Sequence, residues 1–319
     1  MSTVKKYLSL IKFAHTIFAM PFALIGFMLG VYAMVRNGLG EAHDMLGPHG
    51  ESIHSIVRFT PNYVSLAKLL GLVVLCMIFA RSAAMAFNRY LDREFDAQNP
   101  RTAVREIPAG ILKADNVLLF TFFCAVAFMV TTWFINRICF LLSPVALFVV
   151  LFYSYTKRFT PLCHLVLGLG LSLAPIGAYL AVTGVFSLLP ILFSFTVIFW
   201  VSGFDIIYAL QDEEFDKSKK LHSIPAWLGK KKGLRVSELL HILSAACVIT
   251  AGVYGHFHWF YWVGVAVFAG MLLYQHSIVK PTDLRRVNLA FMTANGIASV
   301  VFAVFVITDL VIAYKTMTN

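Results

Sequence analysis

Long apolar runs alternate with short polar connections along almost the whole chain. Nine of them reach the roughly 20 residues that a helix needs to cross a bilayer. They fall at about 13–35, 64–88, 114–135, 138–156, 162–184, 187–210, 234–255, 258–279 and 287–314. Pro21, Pro144 and Pro175 lie within these runs, and a spanning helix tolerates proline where its neighbours satisfy the freed backbone groups. The pattern predicts an all-α, polytopic membrane protein. About nine transmembrane helices would surround a central cavity, as one domain over 1–319.

Two of the runs end in ladders of polar side chains. Arg81, Asn88, Asp92 and Asp96 are spaced by seven, four and four residues, and Asp205, Asp212 and Asp216 by seven and four, with Tyr208 four before Asp212. Steps of four and seven return to one face of a helix, so each set forms a narrow stripe. A single ladder reads equally well as a wet helix end. Two ladders of the same geometry, each ending an even-numbered run and followed by a basic loop, point to a functional pair.

Composition and charge settle the setting. Hydrophobic residues make up 59% of the chain and charged ones 13%, against about 25% charged in soluble domains; the mean hydropathy is +0.79. A large soluble core is thereby excluded. The net charge of +10 could suggest nucleic acid, but its placement argues for membrane orientation instead. With the N-terminus inside, one face collects Lys5, Lys6, Lys12, Arg89, Arg93, Arg101, Arg105, Lys113, Lys157 and Arg158. It also collects Lys217, Lys219, Lys220, the 230–232 lysines, Arg235, Lys280, Arg285 and Arg286, whereas the other receives only Arg36, Arg58, Lys68, Arg137 and Lys315. The positive-inside rule then makes the N-terminus cytoplasmic and puts both ladders on the cytoplasmic side. No nucleic-acid partner is implied. The five cysteines all sit in apolar runs without a C-x-x-C pair, which favours buried free thiols over a disulfide framework or a zinc site. The first apolar run has no small-residue cleavage site after it and reads as a permanent span.

Carboxylate and amide oxygens in a ladder are hard ligands of the type Mg²⁺ prefers, usually shared with substrate phosphates. Two facing carboxylate ladders would repel one another unless cations lay between them, and divalent ions that also grip a polyanion resolve the conflict. Arg101, Arg105, Lys157, Arg158 and Lys217 stand close behind the ladders, placed to add charge-assisted hydrogen bonds to phosphate oxygens. Arg81 is costly inside an apolar run and calls for a ladder aspartate or an anionic substrate as partner. The implied ligand has a diphosphate head at the inner interface and a hydrophobic tail in the lipid.

At these residues the sequence resembles the UbiA family of intramembrane prenyltransferases. Asn88-x-x-x-Asp92-x-x-x-Asp96 with Arg101-Thr102-x-x-Arg105 looks like its first signature. Asp205-x-x-Tyr208-Ala209-x-x-Asp212-x-x-x-Asp216 with Ser223-Ile224-Pro225 looks like its second, and Tyr153-x-x-x-Lys157-Arg158 is similar to a further motif. The phrases Tyr208–Asp212 and Leu221–Pro225, and the opening Lys12-x-x-His15-Thr16 with Pro21-Phe22-Ala23, are most similar to the 4-hydroxybenzoate polyprenyltransferase branch.

The resemblance implies Mg²⁺-dependent ionisation of a polyprenyl diphosphate and capture of the carbocation by an aromatic acid. The acceptor would be 4-hydroxybenzoate or a dihydroxynaphthoate, in ubiquinone or menaquinone synthesis at the cell inner (plasma) membrane. It also implies that Asn88, Asp92, Asp96, Asp212 and Asp216 hold magnesium and diphosphate, with Arg81, Arg101, Arg105, Lys157, Arg158 and Lys217 around the diphosphate. Asp92, Asp96, Asp205, Asp212 and Tyr208 would be catalytic, Asp205 and Tyr208 nearer the acceptor, and His15 and Tyr153 would touch the acceptor. Three features depart from the family: Lys220 where glycine is frequent, Glu106 where proline is common, and a long 36–63 connection.

Other readings have markers of their own. A family relative acting on homogentisate, haem or a lipid alcohol would show the same ladders. A secondary transporter would place coupling carboxylates near the midplane at broken helices, not at the inner ends. His43, His49 and His54 read as a solvated outer loop; His164, His241 and His276 read as isolated packing or interfacial residues.

Overall fold

The computed structural model describes residues 3–11, 19–40, 43–46, 52–55 and 63–318. His15 lies outside them. A short helix, α1 (Thr3–Leu10), precedes α2 (Met20–Gly40). The 36–63 connection carries a two-stranded antiparallel hairpin, β1 (His43–Leu46) with β2 (Ser52–Ser55), in which Asp44 is opposite His54. The rest is helical: α3 (Tyr63–Leu91), α4 (Arg93–Gln98), α5 (Ala114–Trp133), α6 (Arg137–Thr156) and α7 (Cys163–Thr183). There follow α8 (Leu188–Ala209), α9 (Glu213–Ser218), α10 (Ile224–Tyr254), α11 (Trp259–Ile278) and α12 (Asn295–Thr318).

Each of the nine apolar runs overlaps a helix among the described residues. Among the described residues, seven helices are long and apolar enough to cross a membrane, and Met20–Arg36 is a shorter apolar one. The small and polar residues at the joints explain where helices stop and how closely they pack. Asn136 caps α6 by accepting from the Cys139 amide, and its own amide donates to the carbonyls of Leu180 and Ala181 at the end of α7. Gly184 closes α7 in the left-handed conformation, φ +69°, a geometry cheap only for glycine. A Cβ on Gly26 would lie 2.0 Å from the Pro175 carbonyl oxygen, so the backbones of α2 and α7 touch there, as small residues permit in membrane bundles.

The aromatic core of the bundle comprises Phe22, Phe193, Trp200, Tyr261, Phe268 and Phe302. Polar side chains beside it pair across helices: Trp200 Nε1 and Gln275 Nε2 both donate to Asn295 Oδ1, at 2.9 and 2.8 Å. Asp309 of α12 accepts from the backbone amides of His258 and Tyr261, which satisfies the open start of α11.

One local device occurs twice. The helix α3 ends at Leu91, Asp92 departs from helical geometry (φ −89°, ψ 5°), and the six-residue α4 follows. Likewise α8 gives way to a 3₁₀ turn, Leu210–Asp212, where Asp212 (φ −104°, ψ 4°) leads into the six-residue α9. The ladders are therefore not carried on unbroken helices. Each bends at its central aspartate, although the Asp92 and Asp96 amides still donate to carbonyls four residues back.

Candidate active site

The two bends meet at one end of the bundle, and every ladder aspartate there is held by a cation. Arg158, just past α6, places Nη2 2.8 Å from Asp92 Oδ1, while Asn88 Nδ2 donates to Asp92 Oδ2 at 3.0 Å. Arg105, in the loop after α4, reaches Asp96 Oδ1 at 2.7 Å. Arg101 crosses to the second ladder: its Nε and Nη2 donate to the two oxygens of Asp212, and Nη1 donates to the Tyr208 hydroxyl at 3.0 Å. Asn99 Nδ2 adds a third donor to Asp212 at 3.1 Å. Lys157 Nζ lies 2.7 Å from Asp216 Oδ1, and the Ser223 hydroxyl donates to Asp216 Oδ2 at 2.9 Å. Loops from one half thus tie down carboxylates of the other.

Burial and charge oppose one another here. Burial pushes the Asp92 carboxyl above the usual carboxylate range, against the pull of Arg158. Burial works against the charge of Lys157 too, but Asp216 beside it holds the ammonium above its ordinary value. The same balance, won by Asp212, raises Arg101.

The predicted residues separate into groups. Asn88, Asp92, Asp96, Tyr208, Asp212 and Asp216 come together with Arg101, Arg105, Lys157 and Arg158. Lys217 does not join them: it is exposed and pairs with Glu213 four residues earlier on α9. Arg81 and Tyr153 stand apart, at the ladder end of a cavity of about 410 Å³ between α3, α5, α6 and α7. Its walls are apolar, Arg81 being the only charged lining residue among the described ones, and it extends to Phe186 at the far end. The Nε of Arg81 is buried without a hydrogen-bond partner among the described residues. Of the two partners expected for Arg81, a ladder aspartate or an anionic substrate, the first does not pair with it among the described residues. Arg81 precedes Asp92 by eleven residues, about 16 Å along a helix axis, too far for direct contact. Asp205 is a full two turns from Asp212 on α8 and makes its own pair with His164, 2.6 Å between Oδ2 and Nδ1.

Four residues carry more than the sequence assigned to them. His164, read as isolated, is the partner of Asp205; the two are 41 positions apart, and no local spacing could have joined them. His241 and His276 are likewise not isolated, with Nδ1 and Nε2 2.9 Å apart. Arg89, counted only for membrane orientation, is 4% exposed with an unpartnered Nε. A charge inside the first ladder was its signal. Lys220 adopts φ +54°, which accounts for a position where glycine would be at ease. Glu106, the other departure, accepts from the Ser9 hydroxyl and so ties the loop after α4 to α1.

Among the described residues, no three Asp, Glu, His or Cys side chains converge as a protein-only metal cage. The donor chemistry nevertheless suits a hard divalent ion shared with phosphate, because such ions take only one or two carboxylates from the protein. Asp96 Oδ2 is buried and unpartnered, an oxygen with a ligand's position still to fill.

Residues 59–297 match the UbiA prenyltransferase family. A 4-hydroxybenzoate octaprenyltransferase of Francisella tularensis subsp. mediasiatica is 28% identical over 267 residues, which cover 82% of this chain and 88% of the relative. One of the same description from Tolumonas auensis is 29% identical over 223 residues, covering 70% and 78%. Among solved structures, a UbiA homolog from Aeropyrum pernix K1 superposes with a TM-score of 0.72 at 25% identity, covering 94% of this chain and 98% of that one. A UbiA homolog from Archaeoglobus fulgidus bound to DMAPP and Mg²⁺ shares the fold, with a TM-score of 0.66 at 18% identity and coverages of 96% and 99%. The family match takes in both ladders and well over half of the chain, and so the protein is a prenyltransferase that belongs to the UbiA family.

Proposed function

We propose that the protein transfers a polyprenyl group from an isoprenyl diphosphate to a hydroxylated aromatic acid, 4-hydroxybenzoate or a dihydroxynaphthoate, in lipid-quinone synthesis. The observation that carries this reading is the joining of two acidic ladders by four cations beside an apolar cavity with a single charged residue. A diphosphate head suits the first feature and a prenyl tail the second. The relatives described as 4-hydroxybenzoate octaprenyltransferases support the choice of acceptor. The charge bias supports an inner-membrane protein with its ladders facing the cytoplasm.

Asn88, Asp92, Asp96, Asp212 and Asp216 would hold Mg²⁺. Bound there, the metal supplies charge that makes diphosphate a better leaving group. The chain's own side chains do the rest. Arg101, Arg105, Lys157 and Arg158 give up part of their hold on the aspartates to bind phosphate oxygens, through charge-assisted hydrogen bonds. The apolar walls between α3 and α7 receive the tail and keep water from the allylic cation. Tyr208, whose ring centre lies 4.4 Å from that of Phe291, presents a π face of the kind that stabilises cations.

Arg81 takes the carboxylate of the aromatic acid. Among the described residues it is the one charged group on the cavity wall, seven residues deeper along α3 than Asn88. A half-buried guanidinium without a partner among the described residues suits a planar, bidentate carboxylate. Tyr153, lining the same end of the cavity, borders the ring. The test is incubation of the purified protein with Mg²⁺, a polyprenyl diphosphate and a panel of aromatic acids, with product identification by mass. A C-prenylated hydroxy acid is the expected product. Diphosphate-independent, ion-coupled uptake of a solute, with no such product, would overturn the reading.

A further inference from the structure

The Ser223–Ile224 turn connects carboxylates at two depths. The Ser223 hydroxyl donates to Asp216 Oδ2 at 2.9 Å. The next amide, Ile224 N–H, donates to His164 Nε2 at 3.3 Å, and His164 Nδ1 meets Asp205 Oδ2 at 2.6 Å. An Nε2 that accepts a backbone hydrogen bond leaves the imidazole proton on Nδ1. His164 therefore donates to Asp205 and is fixed in tautomer and ring orientation, as a second nitrogen's partner generally fixes it. The histidine is 3% exposed, whereas the Asp205 side chain keeps 24% of its surface open. No other hydrogen bond to Asp205 occurs among the described residues, so Oδ1 is free. Asp205 precedes Asp212 by seven residues, about 10 Å deeper along α8. Tyr153, on the cavity wall, lies within the electrostatic reach of Asp205.

We propose that His164 is a positioning residue for the acceptor's proton: it aims Asp205 Oδ1 at the ring hydroxyl of the aromatic acid. The inference rests on the acceptor class proposed above. Asp205 takes the hydroxyl proton as the ortho carbon bonds to the allylic carbon, and the allylic C–O bond breaks with its electron pair leaving on the diphosphate. The ring-carbon proton then departs with the diphosphate, Asp205 returns its proton to the oxygen, and the ring is aromatic again. Atoms and charge balance without a further reactant. The Ser223–Ile224 turn makes the aim of Asp205 depend on the same loop that holds Asp216.

His164→Asn and His164→Gln separate this from a packing role. An asparagine amide can take the place of Nδ1 and keep the hydrogen bond to Asp205; a glutamine amide takes the place of Nε2 and loses it. With a polyprenyl diphosphate and 4-hydroxybenzoate, H164Q is expected to lower kcat about 10–100-fold, as loss of an orienting partner does elsewhere. The KM for the diphosphate should stay within about twofold, and H164N should recover most of kcat. Equal losses in both variants, or a loss confined to KM, would overturn the proposal. Asp205→Asn serves as the second arm should H164Q fail to fold. It is expected to lose a similar factor, and adding His164→Leu, which also lacks the hydrogen bond, should cost no more than D205N costs alone; independent, multiplying losses would count against the pair. If the wild-type protein prenylates none of the hydroxy acids, the acceptor reading fails and not the pairing.

Discussion

The two ladders share a plan and differ in closure. In each, an aspartate sits at a bend and leads into a six-residue helix. The first remains partly open: Asp92 is half-buried, and Asp96 keeps one buried oxygen without a partner. The second is closed. Asp212 receives three donor groups from Arg101 and Asn99. Asp216, fully buried, has the Lys157 ammonium as an ion-pair partner at Oδ1 and accepts from Ser223 at Oδ2, although Oδ1 has no hydrogen bond among the described residues. Both loops that close the second ladder, the one after α4 and the one after α6, come from the first half of the chain. The halves are therefore not two sites side by side. One supplies ligand oxygens still free, the other an anchored wall, and the cations between them can exchange carboxylate for phosphate.

Removal of divalent metal with a chelator should break both halves at once. Product formation is expected to fall to background in a mass-based assay and to return with Mg²⁺. Asp92→Ala and Asp212→Ala should each lower kcat/KM on the order of 10³-fold, as loss of a group that stabilises developing charge does. The comparison is sharpened by thermal stability. D212A leaves the Arg101 guanidinium without its main partner and is expected to lower Tm more than D92A does. Equal Tm values would mean that the second ladder is no more closed than the first. Arg81→Ala, outside both ladders, should raise KM for the aromatic acid about 10–100-fold, the worth of a hydrogen bond to a charged group. The KM for the prenyl diphosphate should be unaffected, and a rise there instead would move Arg81 back to the diphosphate. The smallest effect is expected of Ser223→Ala, which removes one neutral donor from Asp216. About a fivefold loss in kcat/KM corresponds to one such bond.

Much of this was legible in the sequence because membranes impose strict rules. Apolar runs of spanning length located the long helices, and steps of four and seven located both ladders. Charge alone brought Arg101, Arg105, Lys157 and Arg158 to the right neighbourhood. The bends at Asp92 and Asp212 were not legible, since the four-residue spacing of the polar ladders continues through them and only the backbone angles reveal the break. Which cation meets which carboxylate depends on how loops cross between halves; hence Lys217 was placed with the diphosphate although its reach ends at Glu213. The His164–Asp205 pair was hidden for the same reason: its partners lie on different helices, and a lone histidine in an apolar run carries no mark of its neighbour. Arg81 was recognised as expensive in its setting, but its separation from the ladders needed the cavity to be seen.

That the two ladders form one diphosphate site can be tested by Mg²⁺-dependent binding of a non-reactive prenyl thiodiphosphate to the wild-type protein, D92A, D212A and D92A/D212A. A single site predicts that either substitution abolishes most of the metal-dependent affinity and that the double variant loses little more. Two losses that simply multiply, with substantial binding left in each single variant, would contradict it.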